Sequence, residues 1–456
     1  MSSAEKLKEI EQIVDVNAIK YKNLAIWPVL RYYICAKHTA NSNPKKPDKS
    51  IFKSVLKNLF YGFKNYFKKH EYLFISSSDQ RVIIDDLFID KSVTLIAQKL
   101  SKSWIIELPS KGHFKKKNLP STPISSKYPL YVLTWIYSKL LGSSKIAGQE
   151  ELEYVLNELN INVDYKNICK NHYAQYKMML FLARWKKFKS VFVVCHYTNM
   201  GYIRAFRRLN IPVIEIQHGL IAKGHCAYNL YTPMDLSCYP NFLLTFGKKE
   251  QFVFSKDNFF ITANRVVPVG HFYIDYIASK YSGDQKLIDT QNKYRKTIAI
   301  VSQNHPVERK LIEFVKEVAE LDKTILYVFV PRTYNKVAKD YGFKDNIILT
   351  PWLNVYEIIW HADFHSTVFS TCALEAPSIG VRNILINIEN RSKALFEDKL
   401  NDEEITKYSE TPKEYIDIIN SASNLSREII INKNASIIIP DYRQNITNFI
   451  NYLEKS

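Results

Sequence analysis

The chain contains no Asp-x-Asp triplet, no P-loop and no Gly-x-Gly-x-x-Gly stretch. An enzyme that grips a donor diphosphate through a divalent metal usually needs paired carboxylates of the first kind, so no metal or other cofactor is expected. Cysteine is sparse. Cys35, Cys169, Cys195, Cys226, Cys238 and Cys372 stand apart with no Cys-x-x-Cys pair, a pattern that argues against a disulfide framework or a zinc site and suits a reducing compartment. Cys195 and Cys372 lie in apolar surroundings that suit buried thiols. Long apolar runs are missing as well. The opening MSSAEKLKEIEQIV has no signal-type apolar core, and YPLYVLTWIYSKLL (128–141) is too short to span a bilayer and carries Lys139. The expected location is therefore cytoplasmic, free or on the inner face of a membrane. No repeat or low-complexity tract occurs. Without a zinc finger, RNP motif or KH loop, nucleic acid is not an expected partner.

What is present points to a large globular enzyme. A length of 456 residues suggests two domains, and 46% hydrophobic residues is a globular content. The net charge of +18 arises from 63 basic against 45 acidic residues and favours anionic partners. It is concentrated early. From 45 to 69, lysines alternate with Ile51, Phe52, Val55, Leu56, Leu59, Phe60, Phe63 and Phe67, several at spacings of three and four. That spacing predicts a helix with one apolar and one basic face, suited either to an anionic membrane surface or to packing on its own domain.

From Glu71 onward, short apolar runs alternate with helical ones. Strands are predicted at 71–76, 103–108, 190–196, 212–218, 242–247 and 265–270, with helices at 164–187 and 199–209 between them. A second series follows, with strands at 297–302, 324–330, 346–350, 362–368 and 383–388 and helices at 307–320, 354–361 and 371–379. Alternation of this kind predicts an α/β fold of two doubly wound, Rossmann-like domains with parallel sheets. The polar stretch 279–296 places the boundary near residue 285, giving domains 1–285 and 286–456. The segment 402–456 reads as helical, and its last helices are expected to pack back on the N-terminal domain. In such folds ligands bind at the carboxyl ends of strands, here in a cleft between the domains.

Two clusters lie at strand ends. Gln217, His218 and Gly219 follow the run PVIEI, and Lys223 and His225 come within eight residues. A neutral imidazole there is placed to take a proton from an acceptor hydroxyl, with glycine easing the turn. The second cluster is STCALEA, 370–376. Ser370 and Thr371 suit the N-cap of a helix whose free N–H groups would receive a phosphate, and Glu375 could accept from ribose hydroxyls. Ser366 precedes this cluster. Arg332 after the strand at 324–330 could pair with phosphate oxygens, and His305 ends the first strand of the second domain. Asp85 and Asp86 offer an alternative base or a solvated loop.

QHG after a buried strand, followed about 150 residues later by STCALEAPSIG, resembles bacterial capsule and lipopolysaccharide glycosyltransferases of GT-B architecture. These include polysialyltransferase-like and Kdo-transferase-like capsule enzymes and, more distantly, teichoic acid polyol-phosphate transferases. NLAIWPVLRYYI (23–34) is similar to the opening of polysaccharide-locus proteins. The resemblance covers about residues 190–390. It implies a donor-binding second domain with Ser370, Thr371 and Glu375, a catalytic His218, a nucleotide-sugar donor (a CMP-sugar among the options), and a lipid-linked glycan acceptor at the inner membrane face. A CDP-activated polyol-phosphate transferase, a non-catalytic assembly scaffold and a nucleotide-sugar epimerase are the alternatives. The sequence departs from the family pattern in reading Gly380-Val381-Arg382 and Pro331-Arg332 where Gly-x-Pro and His-Pro are usual.

Overall fold

The computed structural model describes residues 3–455, apart from 40–54, 57, 85, 110–117, 143–144, 222–224, 255–257, 303–306, 333 and 335–337. The chain divides into two compact units. The first is Met1–Thr245 with Glu250–Val267 and Phe449–Ser456; the second is Phe246–Lys249 with Pro268–Asn448. The division at 267/268 lies upstream of the polar stretch near residue 285. That stretch begins at the end of the helix Phe272–Lys280 and contains the helix Gln285–Gln291, both in the second unit.

The first unit is built on a seven-stranded sheet in the order Val266–Pro268, Phe242–Thr245, Val213–Ile216, Ser190–Val194, Tyr72–Ser77, Ser103–Leu108, Ile124–Ser126. The six strands from Phe242–Thr245 to Ile124–Ser126 pair in parallel. Their continuous apolar runs follow from burial on both faces. Val191, Phe192 and Val193 are wholly inaccessible, and the rings of Phe74 and Phe192 stack at 4.7 Å. The helix Tyr165–Lys186 covers one face and is capped by the Asp164 side chain. Against it packs the helix Met200–Arg208 at Gly201, where a Cβ would come within 2.6 Å of the Gln175 Cβ. Ahead of this sheet, the helices Ser3–Ile13 and Trp27–Thr39 are locked together by a buried pair, Glu11 and Arg31, 2.6 Å apart.

The second unit carries a six-stranded sheet in the order Ile347–Ile348, Ile325–Val330, Lys296–Val301, Phe364–Thr367, Arg382–Ile386, Thr406–Ser409, with every pair parallel. Helices Glu308–Leu321 and Val355–His361 connect its strands. The second begins with a full capping box formed by Asn354 and Glu357.

Three elements differ from expectation. Thr406–Ser409, within a stretch that reads as helical, is an edge strand. Pairing with Arg382–Ile386 offers its backbone a ladder that local propensity does not reveal. Ile124–Ser126 is a strand too short for any periodicity to show. Of the basic segment 45–69, residues 45–54 and 57 lie outside the described residues. The remainder is a short helical piece, a turn at Gly62 (φ +65°) and a 3-10 helix Phe63–Phe67, so no continuous helix forms. The turn brings Gly62 so close to the Ile124 carbonyl that no side chain fits there.

Candidate functional site

Because the strands of the first sheet run in parallel, their carboxyl ends meet at one edge, and the side chains there are unusually polar for their burial. After Ser190–Val194 the chain turns at Cys195, a non-glycine residue in the left-handed region (φ +66°), a strained geometry of the kind that collects at functional sites. The turn directs His196 inward. Its Nδ1 lies 2.7 Å from Glu215 Oε2 and its backbone N–H donates to Glu215 Oε1 at 3.0 Å. Tyr228 donates its hydroxyl to the same carboxylate at 2.8 Å. Burial alone would raise Glu215, but His196 and these hydrogen bonds hold it below the usual carboxylate range.

Tyr197 follows and connects this pair to the predicted base. Its hydroxyl is 3.2 Å from His218 Nε2, and its ring stacks on Tyr32 at 4.7 Å. His218 is half-buried, and desolvation lowers its pKa, which keeps the ring neutral at pH 7. His218 Nδ1 has no hydrogen-bond partner among the described residues. His225 packs beside Tyr228 at 5.0 Å between ring centres and is likewise lowered, first by burial. Gln217 donates to the Gly219 carbonyl at 2.9 Å. The φ of Gly219 is not positive and a Cβ there would meet open space, so glycine serves access here rather than a turn. Lys223 and His305 lie outside the described residues.

A buried cation completes this edge. Lys127, after the strand Ile124–Ser126, is 3% exposed and donates to Asn199 Oδ1 at 2.6 Å. Burial pulls its pKa down to about 8. Further along, Arg81 forks onto Glu107 at 2.6–3.0 Å, and Asp90 accepts from Ser76 at 2.5 Å. Asp86 sits exposed in the turn of the hairpin Arg81–Ile84 and Leu87–Asp90, the solvated-loop reading; Asp85 lies outside the described residues.

The loop after His218 is shaped from the N-terminus. Arg31, held by Glu11, donates to the carbonyls of Cys226 and of Asn229, the latter at 2.6 Å, and Trp27 Nε1 donates to Glu11 at 2.8 Å. The WPVLRYY run therefore positions the loop carrying His225.

In the second unit the STCALEA cluster also follows a strand, Phe364–Thr367. Ser370 Oγ accepts from the Cys372 N–H at 3.4 Å, and the half-buried Thr371 makes no capping bond. The α-helix is only Cys372–Glu375, passing directly into the 3-10 turn Ala376–Ile379 that ends at Gly380, so little helix dipole is available. Glu375 is buried and accepts from Tyr356 at 3.1 Å. Ser366 is in the core, its hydroxyl 2.5 Å from that of Tyr415. Arg332 is exposed at its strand end.

Sequence reasoning did not single out His196, Tyr197, Glu215, Tyr228 and Lys127. The legible signal was CHYTN directly after the apolar run SVFVV, the same strand-end position that drew attention to His218.

Two such units, each a parallel sheet flanked by helices, define the GT-B class of fold. Solved structures agree with this. A UDP-N-acetylglucosamine 2-epimerase matches with a TM-score of 0.52 at 13% identity, over 85% of this chain and 97% of that one. The UDP-GlcNAc 2-epimerase from Neisseria meningitidis, bound to UDP-GlcNAc, matches with 0.50 at 14%, over 84% and 100%. The glycotransferase of kitacinnamycin matches with 0.51 at 12%, over 85% and 99%. No family model matches the chain, and no curated protein matches it. Among the described residues, no helix is long and apolar enough to cross a membrane.

Proposed function

We propose that the chain is a glycosyltransferase that moves a sugar from a nucleotide-activated donor to a capsule, O-antigen or lipooligosaccharide acceptor at the inner face of a bacterial membrane. The observation that carries this reading is His218, neutral and hydrogen-bonded through one ring nitrogen to Tyr197, at the carboxyl edge of the first sheet beside the His196–Glu215 pair. A general base needs a pKa near or below the working pH and a fixed ring, and this arrangement supplies both. Tyr197, whose own pKa burial raises, stays protonated and can accept the Nε2–H. The imidazolium formed on deprotonating an acceptor hydroxyl is then steadied through Tyr197. The second unit is assigned the nucleotide, with the backbone N–H of Thr371 and the Arg332 guanidinium toward phosphate, and Glu375 toward the ribose. No metal is assigned a role.

The peripheral membrane site is supported by exposed rings among lysines. Phe60, Phe67, Phe181 and Trp185 are 71, 64, 74 and 55% exposed, and Phe67 touches Trp185 at 6.4 Å. Lys64, Lys68 and Lys69 flank Phe67 in sequence, and Lys186 and Lys187 follow Trp185. Large exposed aromatics beside cations suit an anionic headgroup layer.

The test is nucleotide release. The purified protein is incubated with CMP-, CDP-, UDP-, GDP- and ADP-activated donors, with and without lipid-linked glycan. Acceptor-dependent release of one nucleotide supports transfer. Phosphorus in the product identifies a polyol-phosphate transferase, acceptor-independent conversion of the donor an epimerase, and absence of nucleotide binding a scaffold.

A further inference from the structure

Two sizeable cavities of the first unit lie away from the carboxyl edge. Arg204, Arg207 and Arg208 line a cavity of about 670 Å³ with Asp235, Asn210 and Asn241. An adjoining cavity of about 700 Å³ contains Lys189 and Arg265. Pro212 and Asn241 line both, so the two share a wall. Each immediately precedes a strand of the first sheet, Val213–Ile216 or Phe242–Thr245. The cavities therefore open at the amino edge, the end opposite His218.

The walls carry positive charge in excess. Asp235 is engaged by Arg204 at 3.2 Å and by the Ser237 N–H and hydroxyl. Lys189 is paired with Glu71 at 2.6 Å. Among the described residues no carboxylate lies within ion-pair distance of Arg207, Arg208 or Arg265. Arg265 rests instead over the Phe242 ring, 4.7 Å from its centre. Arg204 is 3% exposed, and its Nη1 has no partner among the described residues and is closed off from water, so it contributes field rather than contact. Half-buried Arg207 is depressed by burial and then by the neighbouring Arg265, with Asp235 acting against them in part. Cationic side chains outnumber the carboxylates Asp235 and Glu454 on these walls, a cost that a bound anion would lower.

We infer that this cavity is a second, non-catalytic site that takes a phosphate-bearing group through Arg207 and Arg208. A phosphate monoester or diphosphate meets the fork geometry of guanidinium and brings more than one negative charge, which a single carboxylate does not. The size falls in the range of small-ligand sites, on the order of 300–1,000 Å³. The same chemistry is offered by a free phosphorylated compound and by a phospholipid headgroup.

The experiment compares the wild type with Arg207→Gln/Arg208→Gln and with the exposed single change Arg208→Glu, at constant ionic strength. Inorganic pyrophosphate is the soluble probe, read by thermal shift. Phosphatidylcholine vesicles doped with phosphatidic acid, against the same vesicles doped with phosphatidylserine, are the lipid probe, read by co-sedimentation. A pyrophosphate shift in the wild type, weakened roughly tenfold or more in apparent affinity in both variants, supports a soluble ligand. No such shift, but a preference for phosphatidic acid that both variants lose, supports a lipid headgroup. Binding of neither probe by the wild type, or binding unchanged in Arg208→Glu, overturns the inference. Nucleotide shifts at the donor site stay the same in the variants, which separates this outcome from failure of the glycosyltransferase reading.

Discussion

On the proposed reading, the chemistry of the first unit falls to two side chains, His218 and Tyr197. Removal of the proposed base as His218→Ala is expected to lower kcat by about 10²–10⁴-fold while leaving the unfolding midpoint nearly unchanged, because the ring is half-buried and makes one side-chain hydrogen bond. Single-turnover transfer assays with circular dichroism melts check both halves. Tyr197→Phe keeps the ring stack on Tyr32 but removes the hydroxyl. The expected result is a smaller loss of kcat with a shifted acidic limb of the pH profile, since His218 loses the group that fixes its orientation. His218 itself was legible in the sequence, because a histidine directly after an apolar strand is a local pattern. Its partner was not, since Tyr197 lies 21 positions earlier and only the parallel pairing of Ser190–Val194 with Val213–Ile216 brings the two ends together.

Among elements, the loop 225–229 depends on a contact that no local rule predicts. Arg31, nearly 200 residues away, holds it by two carbonyls and is itself neutralised by Glu11. Glu11→Ala would leave an unpaired buried guanidinium and is expected to cost about 3–5 kcal/mol, measured as a shift in the urea midpoint at constant slope. At the 3-10 helix Phe63–Phe67, the exposed Phe67 leans on Trp185 of the helix Tyr165–Lys186. Phe67→Ser/Trp185→Ser is expected to weaken binding to anionic vesicles by roughly tenfold or more, with little change in stability, since each exposed ring is worth about 1.5–3 kcal/mol when buried. Equal partitioning of variant and wild type would remove the aromatic patch from the membrane reading. The amphipathic pattern over 45–69 was plain in the sequence. The break at Gly62 was not, because it answers to the approach of the Ile124 carbonyl from another part of the chain.

For the whole molecule, buried histidines couple folding to pH. His365 is fully buried, lies 2.8 Å through Nδ1 from Asn383 Oδ1, and is pulled by burial down to about 4. The unfolded chain protonates this residue below pH 6.5, whereas the folded chain does so only near 4. Stability is therefore fully present above pH 6.5 and is lost as pH falls, by about 2 kcal/mol at pH 5 from this group. Asp275 acts in the opposite sense, because burial raises it to about 6 and its neutral form is favoured in the fold. The informative quantity is thus the difference between wild type and His365→Gln, measured in urea between pH 7 and 5. The expected result is a shallower fall in the variant; parallel curves would remove His365 as the cause.

The sequence by itself determined the class of fold. Uninterrupted apolar runs of five or six residues cannot be half-solvated strands, and their alternation with amphipathic stretches leaves parallel sheets with helices on both faces. It also placed the helices at 164–187, 199–209, 307–320 and 354–361 to within a residue or so of Tyr165–Lys186, Met200–Arg208, Glu308–Leu321 and Val355–His361, because the spacing of their apolar residues is a local signal. Tertiary structure alone decided which polar groups meet. Lys127, His196, Glu215 and Tyr228 each look like an ordinary residue in its own segment, and Thr406–Ser409 looks helical. Strand order and burial join the first four at one sheet edge and make the last a strand, since the pairing partner and the local dielectric are set by residues far away in the chain.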